Sequence, residues 1–142
     1  MQKKMWWIYA LLSAFFAALT AVLAKLGIKG IDSNLATAIR TVIILLLAWA
    51  IVLFRNDQQG ISGLTRQNWT FLILSGLATG LSWIFYFKAL QLGKVSQVAP
   101  VDKASVAIAI LLSVVFLGEP LTLKTAIAVL LITGGTIILI FQ

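Results

Sequence analysis

The chain has 142 residues, 61% of them hydrophobic and 11% charged, and a formal net charge of +7 from 11 basic and 4 acidic side chains. A soluble domain averages about 45–50% apolar and about 25% charged residues, so the excess here is too large for one water-soluble core. Cysteine and histidine are both absent, which excludes disulfides, thiolate or imidazole nucleophiles and Cys/His metal sites.

No resident cofactor or metal is expected. The cations stand singly between apolar blocks, as membrane flanks do, and not in the clustered patch that nucleic acid selects. The solvent for this chain is the lipid bilayer.

A hydrocarbon layer of ~30 Å takes about 20 apolar helical residues, and five runs meet that requirement. The first, 5–24, is uncharged and opens with Trp6, Trp7 and Tyr9, whose amphipathic rings suit the headgroup level. Lys3 and Lys4 before it and Ala21-Val22-Leu23-Ala24 near its end resemble a cleavable signal. Its uninterrupted length exceeds the roughly 7–15 residues of a signal core, so a retained span is expected. The second run, 35–54, is interrupted early by Arg40. The third, 69–90, opens with Trp69 and carries Lys88 near its end. The fourth, 98–117, opens around Pro100 and carries Asp102 and Lys103, and the fifth, 121–141, has Lys124 in its first turn. The connections at 27–34, 55–68, 91–97 and 118–120 are too short for a soluble domain and contain no phosphate-binding glycine loop. The expected fold class is an all-α integral membrane protein, a single domain over 1–142 with five transmembrane helices.

Orientation is nearly undecided by charge. One side of such a bundle holds Lys3, Lys4, Arg55, Arg66 and Lys124; the other holds Lys25, Lys29, Arg40, Lys88, Lys94 and Lys103. The positive-inside rule needs a clear excess, and this near balance is what insertion in both orientations requires. If Arg40, Lys88 and Lys103 lie within the membrane, a weak bias toward a cytoplasmic N-terminus remains.

Besides Lys124, four charged residues fall inside the apolar runs: Arg40, Lys88, Asp102 and Lys103. With the fourth helix starting at Pro100, a favoured first position, Asp102 sits in the first turn and complements the helix dipole. With a start at Ser96 it lies ~10 Å in and needs a partner, a proton or a water-filled cavity. That depth would make it a candidate for ion or proton coupling. Lys88, at the end of the preceding helix, is the expected partner, since the adjacent Lys103 points about 100° away on a regular helix. Arg40 stays charged, so it either snorkels or faces an aqueous cavity able to hold an anionic group. Trp83 and Tyr86, three apart on one face, pack the core or wall a substrate pocket. Small residues (Ala10, Ala14, Ala17, Ala18, Ala21 and Ala24; Gly76 with Gly80; Gly134-Gly135) suit close helix packing within the chain or at a dimer interface.

Tyr86-Phe87-Lys88-Ala89-Leu90-Gln91-Leu92-Gly93-Lys94, followed by Phe116-Leu117-Gly118-Glu119-Pro120-Leu121-Thr122, resembles the EamA domain of the drug/metabolite transporter superfamily. That domain's third helix ends in an aromatic-x-A-L motif and its fourth in L-G-E. Gly134-Gly135 matches the small pair of the fifth helix, Arg40 the arginine that opens the second, and Lys25 the lysine that closes the first. The resemblance covers essentially the whole chain. Two features depart from it: many members have a proline where this chain has Val106, and the first helix lacks the coupling glutamate of the related small multidrug exporters. Val98-Ala99-Pro100-Val101-Asp102-Lys103-Ala104-Ser105 instead resembles a short single-domain branch.

The resemblance implies a ten-helix working unit of two inverted five-helix halves, of which this chain corresponds to one. Its expected partner is a second copy in an antiparallel homodimer, or a paralogous five-helix protein. The implied activity is secondary transport of a small organic metabolite or drug across the inner (cytoplasmic) membrane, with a lipid-carrier flippase or accessory subunit as the alternative. Substrate-contact candidates are Arg40, Trp83, Tyr86, Lys88, Asp102 and Lys103. An enzyme is not expected, since Asp32, Asp57, Asp102 and Glu119 are too scattered for paired-carboxylate acid–base chemistry.

Overall fold

The computed structural model describes residues 5–141; Lys3 and Lys4, counted above among the flanking charges, lie outside them. Among the described residues all regular structure is helical. Five stretches are long and apolar enough to cross a membrane: Trp6–Gly27, Ser33–Arg55, Arg66–Leu92, Val95–Leu117 and Leu123–Ile140. The first three are helices α1, α2 and α3, with a short 3₁₀ helix, Asp57–Gly63, between α2 and α3. The fourth is divided into α4 (Val95–Asp102) and α5 (Ser105–Leu117), and the last is α6.

Polar caps set where these helices begin. The Asp32 carboxylate accepts hydrogen bonds from the N–H groups of Asn34 (2.8 Å) and Leu35 (3.3 Å), so α2 starts at Ser33, ahead of its apolar run. Thr65 and Asn68 cap α3 reciprocally. The Asn68 N–H donates to Thr65 Oγ1 and the Thr65 N–H to Asn68 Oδ1, both at 3.2 Å, in the manner of a capping box. At α6, Thr122 Oγ1 accepts from the Thr125 N–H at 3.2 Å, leaving Leu121 and Thr122 outside the helix.

The stops have equally local causes. Asn56 ends α2 in the left-handed conformation, φ 59°, which its short polar side chain tolerates better than most. Beyond it Arg55 and Asp57 form a 3.1 Å ion pair in the open, worth little at such exposure. Gly118 ends α5 with φ 66°, and its N–H and that of Glu119 turn back onto the Ser113 carbonyl. Pro120 has no N–H with which to extend the helix. The Leu117-Gly118-Glu119-Pro120 string is thus a stop signal placed just before the Thr122 cap.

The fourth span differs from both starts considered above. It begins at Val95, so Pro100 falls inside it and leaves the Ser96 carbonyl without its usual donor. Just after the proline the hydrogen bonding tightens. Lys103 N–H donates to Pro100 O and Ala104 N–H to Val101 O, each at 3.0 Å; Val106 and Ala107 donate to Lys103 O (3.0 Å) and Ala104 O (3.1 Å). These i−3 bonds are a 3₁₀ segment, the usual form of a strained point in a long helix.

The chain divides into two compact units, one made of residues up to Leu23 with those from Leu92 onward, the other Ala24–Gln91. In the first, α6 packs along both α4 and α5. The buried Thr136 of α6 holds its hydroxyl 2.8 Å from Ile132 O and 3.3 Å from Pro100 O. In the second, side chains tie helix ends to loops: Lys25 Nζ donates to Leu90 O at 2.5 Å and Gln91 Nε2 to Ile31 O at 3.0 Å. Ser33, Ala36 and Thr37 are the buried face of α2, and Phe87 and Leu90 that of α3.

Most large apolar side chains point outward, including Phe54, Leu130 and Leu131. Lipid tails are as apolar as leucine, so this exposure costs nothing there, and helices meet through small and polar groups. Ala21, Ala24 and Ala36 are buried in that way. Gly76, Gly80, Gly134 and Gly135 are not used so: a methyl group added at any of them meets no atom within 4 Å among the described residues. Gly118→Ala is expected to cost about 1–2 kcal/mol through its positive φ, whereas Gly60→Ala, with open space and no positive φ, should be near neutral. Thermal unfolding in detergent micelles measures both.

Candidate functional site

The α2 face that begins with Ser33 and Thr37 continues to Arg40, since residues three or four apart share a side of the helix. The hydroxyls of Thr37 and Thr41 donate to backbone carbonyls one turn earlier, each at 2.8 Å. The Arg40 guanidinium carbon stands 4.2 Å from the centre of the Phe87 ring. Phe87 in turn meets Tyr86 edge to face, centroids 5.6 Å apart. A cation over an aromatic face gains about 0.5–2 kcal/mol, but the ring offers no acceptor to the guanidinium N–H groups. Arg40 Nη1 is buried and has no hydrogen-bond partner, and Ser33 Oγ is in the same condition.

The rest of the expected set divides according to the two units. Trp83, one turn before Phe87 on α3, is half-buried. Lys88 is exposed and lies 3.4 Å from Gln91 Oε1. Asp102 pairs with the adjacent Lys103 at 3.4 Å, both partly solvent-accessible. Lys103, weighed above as the poorer partner, is the cation that meets Asp102 here, while Lys88 belongs to the other unit. α4 ends at Asp102 and a 3₁₀ turn follows, and the long flexible stem of Lys103 carries its ammonium back to the neighbouring carboxylate. Starting at Val95 also puts Asp102 ~10 Å along the span, at the C-terminal end of α4. A carboxylate there faces the negative end of the helix dipole, and Lys103 offsets that repulsion.

The structure therefore brings Arg40 onto Phe87, the neighbour of Tyr86, and Asp102 together with Lys103. Sequence reasoning missed Phe87, the ring under the guanidinium, although it lies four residues from Trp83 on the face already singled out. It also missed Thr136, whose signal was one of the two hydroxyls, Thr133 and Thr136, flanking Gly134-Gly135 in an apolar run, and Gln91, which closes the Ile31 turn. No group of three or more His, Cys, Asp or Glu able to hold a metal occurs among the described residues. What the arrangement offers is charge and hydrogen bonding at fixed points inside apolar helices.

Five helices long and apolar enough to cross a membrane, with charged groups set into them, are the features of a multi-pass membrane protein. The chain belongs to the EamA-like transporter family, whose model matches residues 4–141. It is 49% identical over 137 residues, 96% of this chain and 97% of the other, to an uncharacterized transporter in the cobO 3′ region of a Sinorhizobium species. It is also 37% identical over 70 residues, 49% of this chain and 51% of the other, to an uncharacterized protein of Methanocaldococcus jannaschii. No solved structure matches it.

Phe87→Leu keeps apolar bulk but removes the ring face under Arg40, and is expected to lower stability by about 1 kcal/mol. Lys88→Gln, at an exposed position, should stay within about 0.5 kcal/mol. Comparing unfolding midpoints of the two variants in the same detergent checks the contrast.

Proposed function

We propose that the protein is a small secondary transporter of the cytoplasmic (inner) membrane that moves a small organic metabolite or drug by alternating access as a dimer. The observation that carries this reading is the presence of Arg40 and Asp102 within spans long and apolar enough to cross the membrane. Ionisable groups at such depth are expensive and are kept where they face a substrate or ion pathway. Membership of a transporter family, and a relative of nearly equal length that is itself named a transporter, support it.

In this reading Arg40, Lys88, Asp102 and Lys103 make polar contacts to the substrate, Trp83 and Tyr86 wall its path, and Asp102 is the candidate for coupling to an ion or proton. The dimer follows from the architecture of alternating access, in which two halves of opposite orientation enclose a midplane site. A five-helix unit supplies one half. The near balance of flanking cations suits an antiparallel homodimer, with a paralogous partner of fixed opposite orientation as the other form of the same design.

Two measurements test this. Purified protein in vesicles is expected to exchange solutes from a broad metabolite and drug panel, with Arg40→Gln and Asp102→Asn each slowing exchange roughly tenfold or more. Such a loss corresponds to removing one charged contact of about 1.5–3 kcal/mol. No exchange by the wild type across anionic, neutral and cationic solutes overturns the transporter reading. For topology, Ile31→Cys and Gly60→Cys, in consecutive loops, are treated on intact cells with a membrane-impermeant maleimide. Ile31 is preferred to Gly30, whose φ of 77° resists any side chain. Partial labelling at both positions is expected for the antiparallel homodimer, and labelling at one alone replaces it with a paralogous partner.

A further inference from the structure

The unit Ala24–Gln91 holds two carboxylates, Asp32 and Asp57, and both are engaged away from Arg40. Asp32 caps α2 through two backbone N–H groups, and Asp57 pairs with Arg55. The same unit carries Lys25, Lys29, Arg66 and Lys88 besides Arg40 and the paired Arg55, so cations outnumber acids within it and neither acid is spare for this guanidinium. Arginine cannot escape by losing its proton. Arg40 as a whole is half-buried, but taking one of its donors out of water without an acceptor is unfavourable, and the Phe87 ring offsets only part of that cost. Nη1, buried and without an acceptor, belongs to a planar fork of donors. The group that matches such a fork is a pair of oxygens on one atom, met through two parallel N–H···O bonds.

We infer that Arg40 docks an oxyanion, a carboxylate or phosphate group, at the edge of its guanidinium, with the Phe87 ring covering one face of the plane. This rests on the transporter reading above and narrows its substrate class to organic anions. A membrane lipid headgroup carries the same chemistry and is the second possible source of the oxyanion.

Binding is measured at equilibrium, apart from any transport, on protein in phosphatidylcholine nanodiscs. The probes are benzoate, citrate and inorganic phosphate, with sodium chloride at matched ionic strength as control. The readout is the rise in unfolding temperature, which a ligand specific to the native state produces by mass action. At least one oxyanion is expected to stabilise the wild type in a saturable way while chloride does not. Arg40→Gln should weaken that binding tenfold or more, and Arg40→Lys, which keeps the charge without the fork, by an intermediate factor. A parallel arm titrates phosphatidylglycerol into the nanodiscs. Arg40-dependent stabilisation by this lipid, with none by the soluble anions, assigns the oxyanion to a headgroup.

Absence of stabilisation in both arms overturns the inference, as does equal stabilisation of wild type and both variants. If Arg40→Gln fails to fold, the Arg40→Lys comparison and the wild-type oxyanion-against-chloride contrast decide. The two readings fail separately. Exchange of neutral or cationic solutes without oxyanion binding removes only this inference, and oxyanion binding without exchange of any solute removes only the transport reading.

Discussion

Inside hydrocarbon a backbone N–H or C=O has no water to turn to, and each one left unpaired costs several kcal/mol. That constraint explains why the described chain is helical wherever it is regular, and it also explains where the side-chain hydrogen bonds go. Most of the polar side chains inside or beside the spans serve the backbone. Asp32, Thr65 and Thr122 satisfy the first N–H groups of three helices, while Lys25, Gln91 and Thr136 reach Leu90 O, Ile31 O and Pro100 O. In each of the last three the acceptor lies at or near a helix end or at the proline interruption, where the regular ladder runs out.

Against that background Arg40 stands apart. Its neighbours Thr37 and Thr41 return their hydroxyls to the α2 backbone, but the guanidinium extends over a ring and leaves one nitrogen unmet. Asp102 is the opposite case, a carboxylate at the end of α4 whose cation comes from the next residue. One site is short of an acceptor and the other is internally neutral. In the function proposed above, that difference makes Arg40 the group with hydrogen-bonding capacity left for a charged solute.

The five spans were legible because the bilayer imposes a length and a polarity that composition alone reveals. Their starts were less so, because the caps that decide them lie in the polar loops, outside any apolar window. Arg40 was visible as a charge in the wrong solvent. Phe87 beneath it was not, since pairing them depends on how far α2 and α3 each rotate, and a run of Trp83, Phe85, Tyr86 and Phe87 offers a ring on several sides of the helix. The Asp102–Lys103 pair ranked second for another reason. Neighbours diverge around a helix, and that rule overlooks how far the long flexible stem of a lysine can bend back.

The 3₁₀ segment after Pro100 also gives the fourth span a property of a screw. A 3₁₀ residue advances about 2.0 Å and turns 120°, while an α-helical residue advances about 1.5 Å and turns 100°. Each bond among Lys103–Ala107 that relaxes from i−3 to i−4 therefore unwinds everything beyond it by about 20° and draws it in by about 0.5 Å. Ile108 already stands at that crossover, its N–H reaching Ala104 O at 3.5 Å beside the shorter Ala107 bond to the same carbonyl. Rotation of α5 about its own axis can thus be had by exchanging one hydrogen bond for another, with no backbone group released into the lipid.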